Sequence, residues 1–283
     1  MQEGTDAEGG FFVPEDFRTQ VIHNTGVPGG VHRPYCTVLT TTLKDGYLPT
    51  MGSVSWAAIA EEAAYGDNTP TVGQVSFNIR KAGGTTKVSS ELLEDSAVNL
   101  PALLSQIFGE AQGRYEDTQL IGGDGSGEAE GIRTSGTDGT VSDSATAVAI
   151  ADFETWYFDL PAQFRANATV SATSSLMAQV AALDVTASKG SLTSSPATTL
   201  LGRPTALFDG TGWDDATAIS ASEEVGCIGD FSNYYLIDRI GMSMRRDDSI
   251  YVANDQVGFF ARSRYDGRVG LADAFRIFKI AAS

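Results

Sequence analysis

Three carboxylates, Asp124, Glu128 and Glu130, stand among five glycines within residues 122–131 of the segment LIGGDGSGEAEGI. Clustered acids on a pliant backbone suit a hard cation, and clustered glycines suit a phosphate. Neither chemistry fits the spacing. An EF-hand loop needs acids at alternate positions and a bidentate Glu at the twelfth, and repeat-type calcium loops come in several copies where this segment occurs once. A phosphate cradle follows a strand and carries a lysine, as in GxxxxGK[ST]; here the glycines follow a helical pattern and no base stands in the loop before Arg133. The segment reads best as a helix stop at Gly122 and Gly123 followed by a tight acidic turn.

General acid–base or nucleophilic chemistry needs a base, and the two histidines, His23 and His32, both lie in a glycine- and proline-rich opening stretch. Two histidines nine residues apart do not match zinc-ligand spacing, and no GxSxG elbow occurs. A Ser-His-Asp group assembled only in three dimensions stays open at this level. Cys36 and Cys227, 191 residues apart and outside any CxxC pair, read as small buried hydrophobes. The acid pairs Glu61/Glu62, Glu223/Glu224 and Asp247/Asp248 read as solvated faces. No catalytic, metal-binding or cofactor-binding residue is predicted.

Formal net charge is −17, from 36 acids against 19 bases, which repels nucleic acid and anionic membranes in bulk. No apolar run approaches the roughly 18 residues of a spanning helix, and no membrane partner is expected. The sign is uneven: residues 239–283 hold eight bases and five acids, +3, which leaves −20 on the rest. That tail suits an acidic surface on a neighbouring copy. Arg245, Arg246, Asp247 and Asp248 form a block of both signs that suits interface ion pairs.

The elements that must position these residues follow from periodicity. The arm, with EGGFFVPEDF and GVPGGVHRP, predicts one short helix near residues 14–23 and cannot make a core of its own. SVSWAAIAEE and QVSFNIRK flank AAYGDNTPTVGQ, which predicts a two-stranded excursion with a polar tip, and Trp56 stands within it as a core or contact aromatic. Residues 100–119 predict the longest helix, with Leu100, Leu103, Leu104, Ile107, Phe108 and Ala111 at spacings of three and four, Asn99 as N-cap and Pro101 in the first turn. ELLEDS predicts a short helix before it. Further on, DFETWYFDLPAQFR reads as a helix capped by Asp152, ATVSA as a strand, SSLMAQVAAL as a helix and LLGRPTALF as a strand with a turn. VGCIGDFSNYYLIDRIGMSMRRD reads as paired strands. QVGFFARSRYDGRVGL and FRIFKI predict a closing antiparallel pair whose face carries Arg262, Arg264 and Arg268. The pattern predicts two lobes, with the chain returning to the first at its end.

Five segments in order, EGTDAEGGFFVPEDF, KVSSELLEDSAVNLPALLSQIF with EDTQLIGGDGSGEAEGI, LPAQFRANATVSAT, LLGRPTALF and IGDFSNYYLIDRIGMSMRRD, make the chain resemble the major capsid proteins of tailed bacteriophages and related archaeal viruses. The resemblance implies an α+β fold with an N-terminal arm (1–41), an extended two-stranded loop (42–80), a peripheral domain round a long spine helix (81–133 and 246–283) and an axial domain (134–245). It implies hexamers and pentamers tiling an icosahedral shell around double-stranded DNA, with portal, scaffolding and possible decoration proteins as partners. Trp56, Glu61, Glu62, Tyr65, Asp124, Glu128, Glu130, Arg245, Arg246, Arg262 and Arg264 are the expected contacts between subunits.

Some relatives carry a scaffolding segment before the arm; with only Met1 ahead of Gln2, a mature or separately scaffolded form is expected. Some cross-link a lysine of the extended loop to an asparagine of a neighbour. No lysine occurs between Asp45 and Arg80, with Tyr65 near the expected place, so no cross-link to Asn254 is expected. An encapsulin-like compartment shares the fold as a rival reading, and a secreted β-rich binding protein or hydrolase is a rival from another class.

Overall fold

The chain from Thr37 to Val88 alternates strand formers with turn residues, and a computed structural model turns it into one short strand, a ribbon and one long strand. The structure describes residues 29–282 apart from 63, 65, 67, 97–98, 145–147, 187–198 and 215–221. The arm before Gly29, with the helix expected near residues 14–23, lies outside the described residues, as does Tyr65.

Strand β1 (Thr37–Thr40) leads into the ribbon of β2 (Asp45–Met51) and β3 (Val72–Asn78), and Ile79 alone separates the ribbon from β4 (Arg80–Ser89). The strand expected on SVSWAAIAEE is absent: residues 52–60 have no regular structure, and DGYLPTM is the partner of β3. Ala57, Ala58 and Ala60 offer little for a cross-strand pair to hold, whereas Tyr47 and Leu48 do. Pro49 is tolerated because each strand of a two-stranded ribbon is an edge. Phe77 covers its cross-strand partner Gly46, where a Cβ would meet the ring at 2.5 Å. Phe77 and Ile79 bury with Ile237 against Leu39, Leu48 and Tyr235, which roots the ribbon on the body.

Ser89 caps α1 (Ser90–Asp95) by accepting from the Leu92 N–H, and Asn99 caps α2 (Leu100–Gly122) by accepting from Ala102. The leucine spacing locates α2, yet its fully buried residues are Glu116, Asp117, Gln119, Leu120 and Ile121. Its last turns, with Leu120 and Ile121 in the core and Glu116 and Asp117 buried beside them, are what α2 sinks into the body. There follow α3 (Ile132–Ser135), β5 (Thr137–Val141), α4 (Ile150–Asp159), α5 (Ala162–Arg165), β6 (Thr169–Ala172) and α6 (Ser174–Thr186). Asp152 stands in the third position of α4, not before it, and its carboxylate reaches back to the Ala149 N–H at 2.8 Å.

The last strands are β7 (Thr199–Leu200), β8 (Arg203–Leu207), β9 (Glu224–Gly229), β10 (Tyr234–Asp247), β11 (Gln256–Val269) and β12 (Phe275–Lys279). They fill a four-stranded sheet, β1-β10-β11-β4, and a six-stranded sheet, β5-β12-β9-β6-β8-β7. Two expected pairings are corrected here. β9 does not pair with β10, nor β11 with β12; the antiparallel partners are β10 with β11 and β9 with β12. A 3-10 turn at Phe231–Asn233 and another at Ala272–Ala274 each carry the chain from one sheet to the other, so neighbours in sequence part company. The returning tail therefore divides: β11 joins β4 beside the ribbon root, while β12 lies between β5 and β9. β10 itself runs across residue 245, the edge of the expected axial segment.

The main core surrounds the six-stranded sheet. Phe153, Trp156 and Phe278 cluster with centroids 5.1–6.4 Å apart, Phe153 stacked on Phe278 and edge-on to Trp156, and the Trp156 indole donates to the Arg276 carbonyl at 3.0 Å. Removing such a fully buried aromatic costs roughly 3–5 kcal/mol. Cys227 is fully buried on β9, and burial pushes its thiol far above the ordinary range. Cys227 should therefore resist a thiol reagent at mildly alkaline pH until denaturant unfolds the chain; peptide mapping that finds it labelled in the folded protein at a free thiol's rate would contradict this packing.

Candidate functional site

The arm enters the body at a close backbone crossing. Gly29 lies on α2 so tightly that a Cβ there would sit 2.2 Å from the Arg114 nitrogen, and one on Gly113 would sit 2.8 Å from the Gly30 nitrogen. Two facing glycines are what permit the approach. Beyond them the Val31 and His32 N–H groups donate to the Asp117 carboxylate at 2.9 and 3.1 Å, and the His32 Nδ1–H donates to the same group at 2.9 Å. His32 Nε2 accepts from the Ser171 hydroxyl at 2.7 Å, and that hydroxyl oxygen accepts from the Trp213 indole at 2.9 Å. The contacts thus run in a chain from Trp213 to Ser171 to His32 to Asp117.

The Ser-His-Asp arrangement left open by the sequence is therefore assembled. It is sealed: His32 and Ser171 are 0% exposed and Asp117 1%, and the indole already occupies the Ser171 oxygen. No substrate carbonyl reaches that oxygen, and the group acts as an anchor joining arm, α2 and β6. Beside it Arg33 forks onto Glu116 at 2.8 and 2.9 Å and also meets Asp238 of β10. Burial raises the Glu116 carboxyl above the usual carboxylate range, and the pull of Arg33 opposes that rise.

The acidic loop after α2 closes back on itself. A Cβ on Gly123 would sit 2.1 Å from the Ala129 carbonyl oxygen, so the glycines serve the turn. The Asp124 carboxylate accepts from the Ser126 N–H at 2.7 Å. The Glu130 carboxylate pairs with Arg268 at 3.3 Å and accepts from Ser135, while its carbonyl accepts from the Tyr234 hydroxyl. Glu130 is thus engaged within its own chain. Glu128 has no ion pair to a described residue.

The other expected contacts fall in two separate places. Trp56, 99% exposed, and Glu61 and Glu62 stand on the ribbon tip. Arg245, Arg246, Arg262 and Arg264 stand on the β10–β11 hairpin, where Arg245 pairs with Asp247 and Arg246 with Asp248 in surface contacts that solvent screens. The sequence left such a group open but did not single out Asp117, Ser171 or their joining to the arm. Its one signal, a His-Arg pair whose complement is the Glu116-Asp117 pair, is visible only once the fold joins residues 85 apart.

The model of the Phage capsid family matches residues 9–280. The chain belongs to the phage capsid family. Nothing among curated proteins matches it. Among solved structures this phage capsid protein is similar to the capsid of an empty GTA particle, with 24% identity and a TM-score of 0.78 over 100% of both chains. It is similar to a protein of Gordonia phage Cozz, at 16% identity and a TM-score of 0.70 over 98% of this chain and 94% of that one. A protein of Microbacterium phage Oxtober96 gives 12% identity and 0.74 over 99% of each. At these identities the likeness is one of fold, and it agrees with the expected α+β capsid architecture.

The anchor yields a stability prediction for the capsid protein. Asp117→Ala strands three donors in a buried site and should lower the unfolding free energy by roughly 3 kcal/mol or more, read from urea denaturation. Glu61→Ala on the exposed tip should change it by less than about 0.5 kcal/mol. Equal effects from the two would contradict the assigned roles.

Proposed function

We propose that this phage capsid protein is the major capsid protein of a virion and self-assembles as hexamers and pentamers into an icosahedral shell around double-stranded DNA. The family match over residues 9–280 carries the reading. The surface supports it: the ribbon tip exposes Met51, Val54 and Trp56, and apolar groups on a thin projection need a neighbour to cover them. A charge of −17 suits a shell that encloses DNA without gripping it. The role is structural rather than enzymatic, in keeping with a sealed Ser171–His32–Asp117 group.

This reading takes the ribbon at residues 45–78 as the extended loop assigned to 42–80, and α2 as the spine of the peripheral domain. The remaining divisions, an arm at 1–41, a peripheral domain at 81–133 and 246–283 and an axial domain at 134–245, belong to the same proposal, with β12 sharing the axial sheet. Portal and scaffolding proteins are its further partners, and assembly takes place in the host cytoplasm. The encapsulin-like reading is not favoured, because the matching family and the solved relatives are phage and GTA capsids.

Trp56 provides the test, since Trp156 and Trp213 are 0% and 5% exposed. Acrylamide should quench one emitting indole in unassembled protein and lose that access when particles form, as sized by light scattering. Protein that stays monomeric, or particles in which Trp56 remains fully quenchable, would contradict the proposal.

A further inference from the structure

The loop after α2 meets β11 where the ribbon leaves the body. The Glu130 N–H donates to the Gly267 carbonyl at 2.9 Å, and the Glu130 carbonyl accepts from the Tyr234 hydroxyl at 2.8 Å. Gly267 permits the approach, since a Cβ there would sit 2.3 Å from the Tyr234 oxygen and 3.1 Å from the Ala129 Cβ. The backbone of the loop is thus fixed to the strand, and the Glu130 carboxylate is held beside Arg268, 3.3 Å from its guanidinium. From the other side of that guanidinium, Nε donates to Asp266 at 3.1 Å. Asp266 is 0% exposed, and the same carboxylate oxygen accepts from the Asn78 N–H at 2.8 Å. Asn78 is the last residue of β3. Contacts therefore run without a gap from the loop, through one cation and one buried carboxylate, to the base of the ribbon. A second tie lies beside the first, because Arg80, the first residue of β4, donates to the Ser126 carbonyl of the same loop at 3.0 Å.

Two kinds of restraint act at that base. Phe77 and Ile79 are held with Ile237 in an apolar cluster, and apolar burial has no direction. The Ile79 N–H donates to the Lys44 carbonyl, which closes the ribbon on itself rather than on the body. The bond from Asn78 to Asp266 is directional and weakens steeply when the N–H turns away. It is the contact that can fix an angle, provided that Asp266 itself stays in place. The lever is long: the seven residues of β2 span ~24 Å at about 3.4 Å per residue, so a swing of about 10° at the base moves the far end by roughly 4 Å.

We propose that Glu130 and Arg268 are positioning residues for the ribbon: the loop after α2 braces Asp266, and Asp266 sets the angle at which the ribbon leaves the body. The acidic loop then has a mechanical role within its own chain. The purpose of a fixed angle rests on the shell-forming reading, since copies that tile one surface must present their ribbons alike. The brace itself lies within one chain and is tested there.

Distances between spin labels read the angle. Nitroxides are placed on the full, unassembled chain at Met51→Cys, the end of β2, and Phe158→Cys on α4, both exposed positions, with Cys36→Ala in every sample. The background should give one narrow distance distribution. Glu130→Gln and Arg268→Lys should each widen it roughly twofold, and the two together should widen it no further than the larger single effect, because both cut one chain of contacts. Urea midpoints should stay closer to the background than that of Asp117→Ala, which separates a loosened ribbon from a loosened core. A distribution already wide in the background, variants that leave its width unaltered, or a double variant that compounds the two single effects overturns the brace. So does widening matched by a fall in midpoint as large as that of Asp117→Ala. Particle formation by the wild-type chain is scored separately: if it fails, the shell reading falls while the distances still decide the brace.

Discussion

A carboxylate taken out of water must find hydrogen-bond donors, and Asp117 finds them in a different part of the chain. Three N–H groups of Val31 and His32 converge on it, and the imidazole passes the connection to Ser171 and Trp213. The arm, α2, β6 and the turn before β9 are thereby locked in one arrangement, and Arg33 extends the lock to β10. Breaking such a network costs far more than breaking a surface pair, because each orphaned group stays out of water. The place where the arm leaves the body is fixed by this chemistry, whatever the arm then meets.

Rigidity at the anchor contrasts with the ribbon. Phe77 and Ile79 bury its root, and the Asn78 N–H donates to the buried Asp266 carboxylate at 2.8 Å. Past Met51 the chain loses regular structure and exposes apolar side chains. A body that is closed in its core and open along one projection is built for association. That is the physical content of the phage capsid assignment.

Much of the architecture was legible in the sequence. The leucine spacing and Asn99 located α2, and the turn-rich segment after Ala60 located a projection. The sheets were not legible. β9 with β10, and β11 with β12, are adjacent in sequence but separated by single 3-10 turns that move the chain between sheets, a change that no local pattern encodes. The anchor was hidden for a similar reason, since His32 finds partners 85 and 139 residues away. The leucine spacing located α2 but did not show that its buried residues are Glu116, Asp117, Gln119, Leu120 and Ile121 in the last turns.

The central claim is that this phage capsid protein completes its surface with copies of itself. Electron cryo-microscopy of particles assembled from the purified chain tests that most directly. The account predicts closed icosahedral shells in which every ribbon tip, with Trp56, lies within contact distance of a neighbouring copy. Dispersed monomers, or shells whose ribbon tips project into solvent, would contradict it.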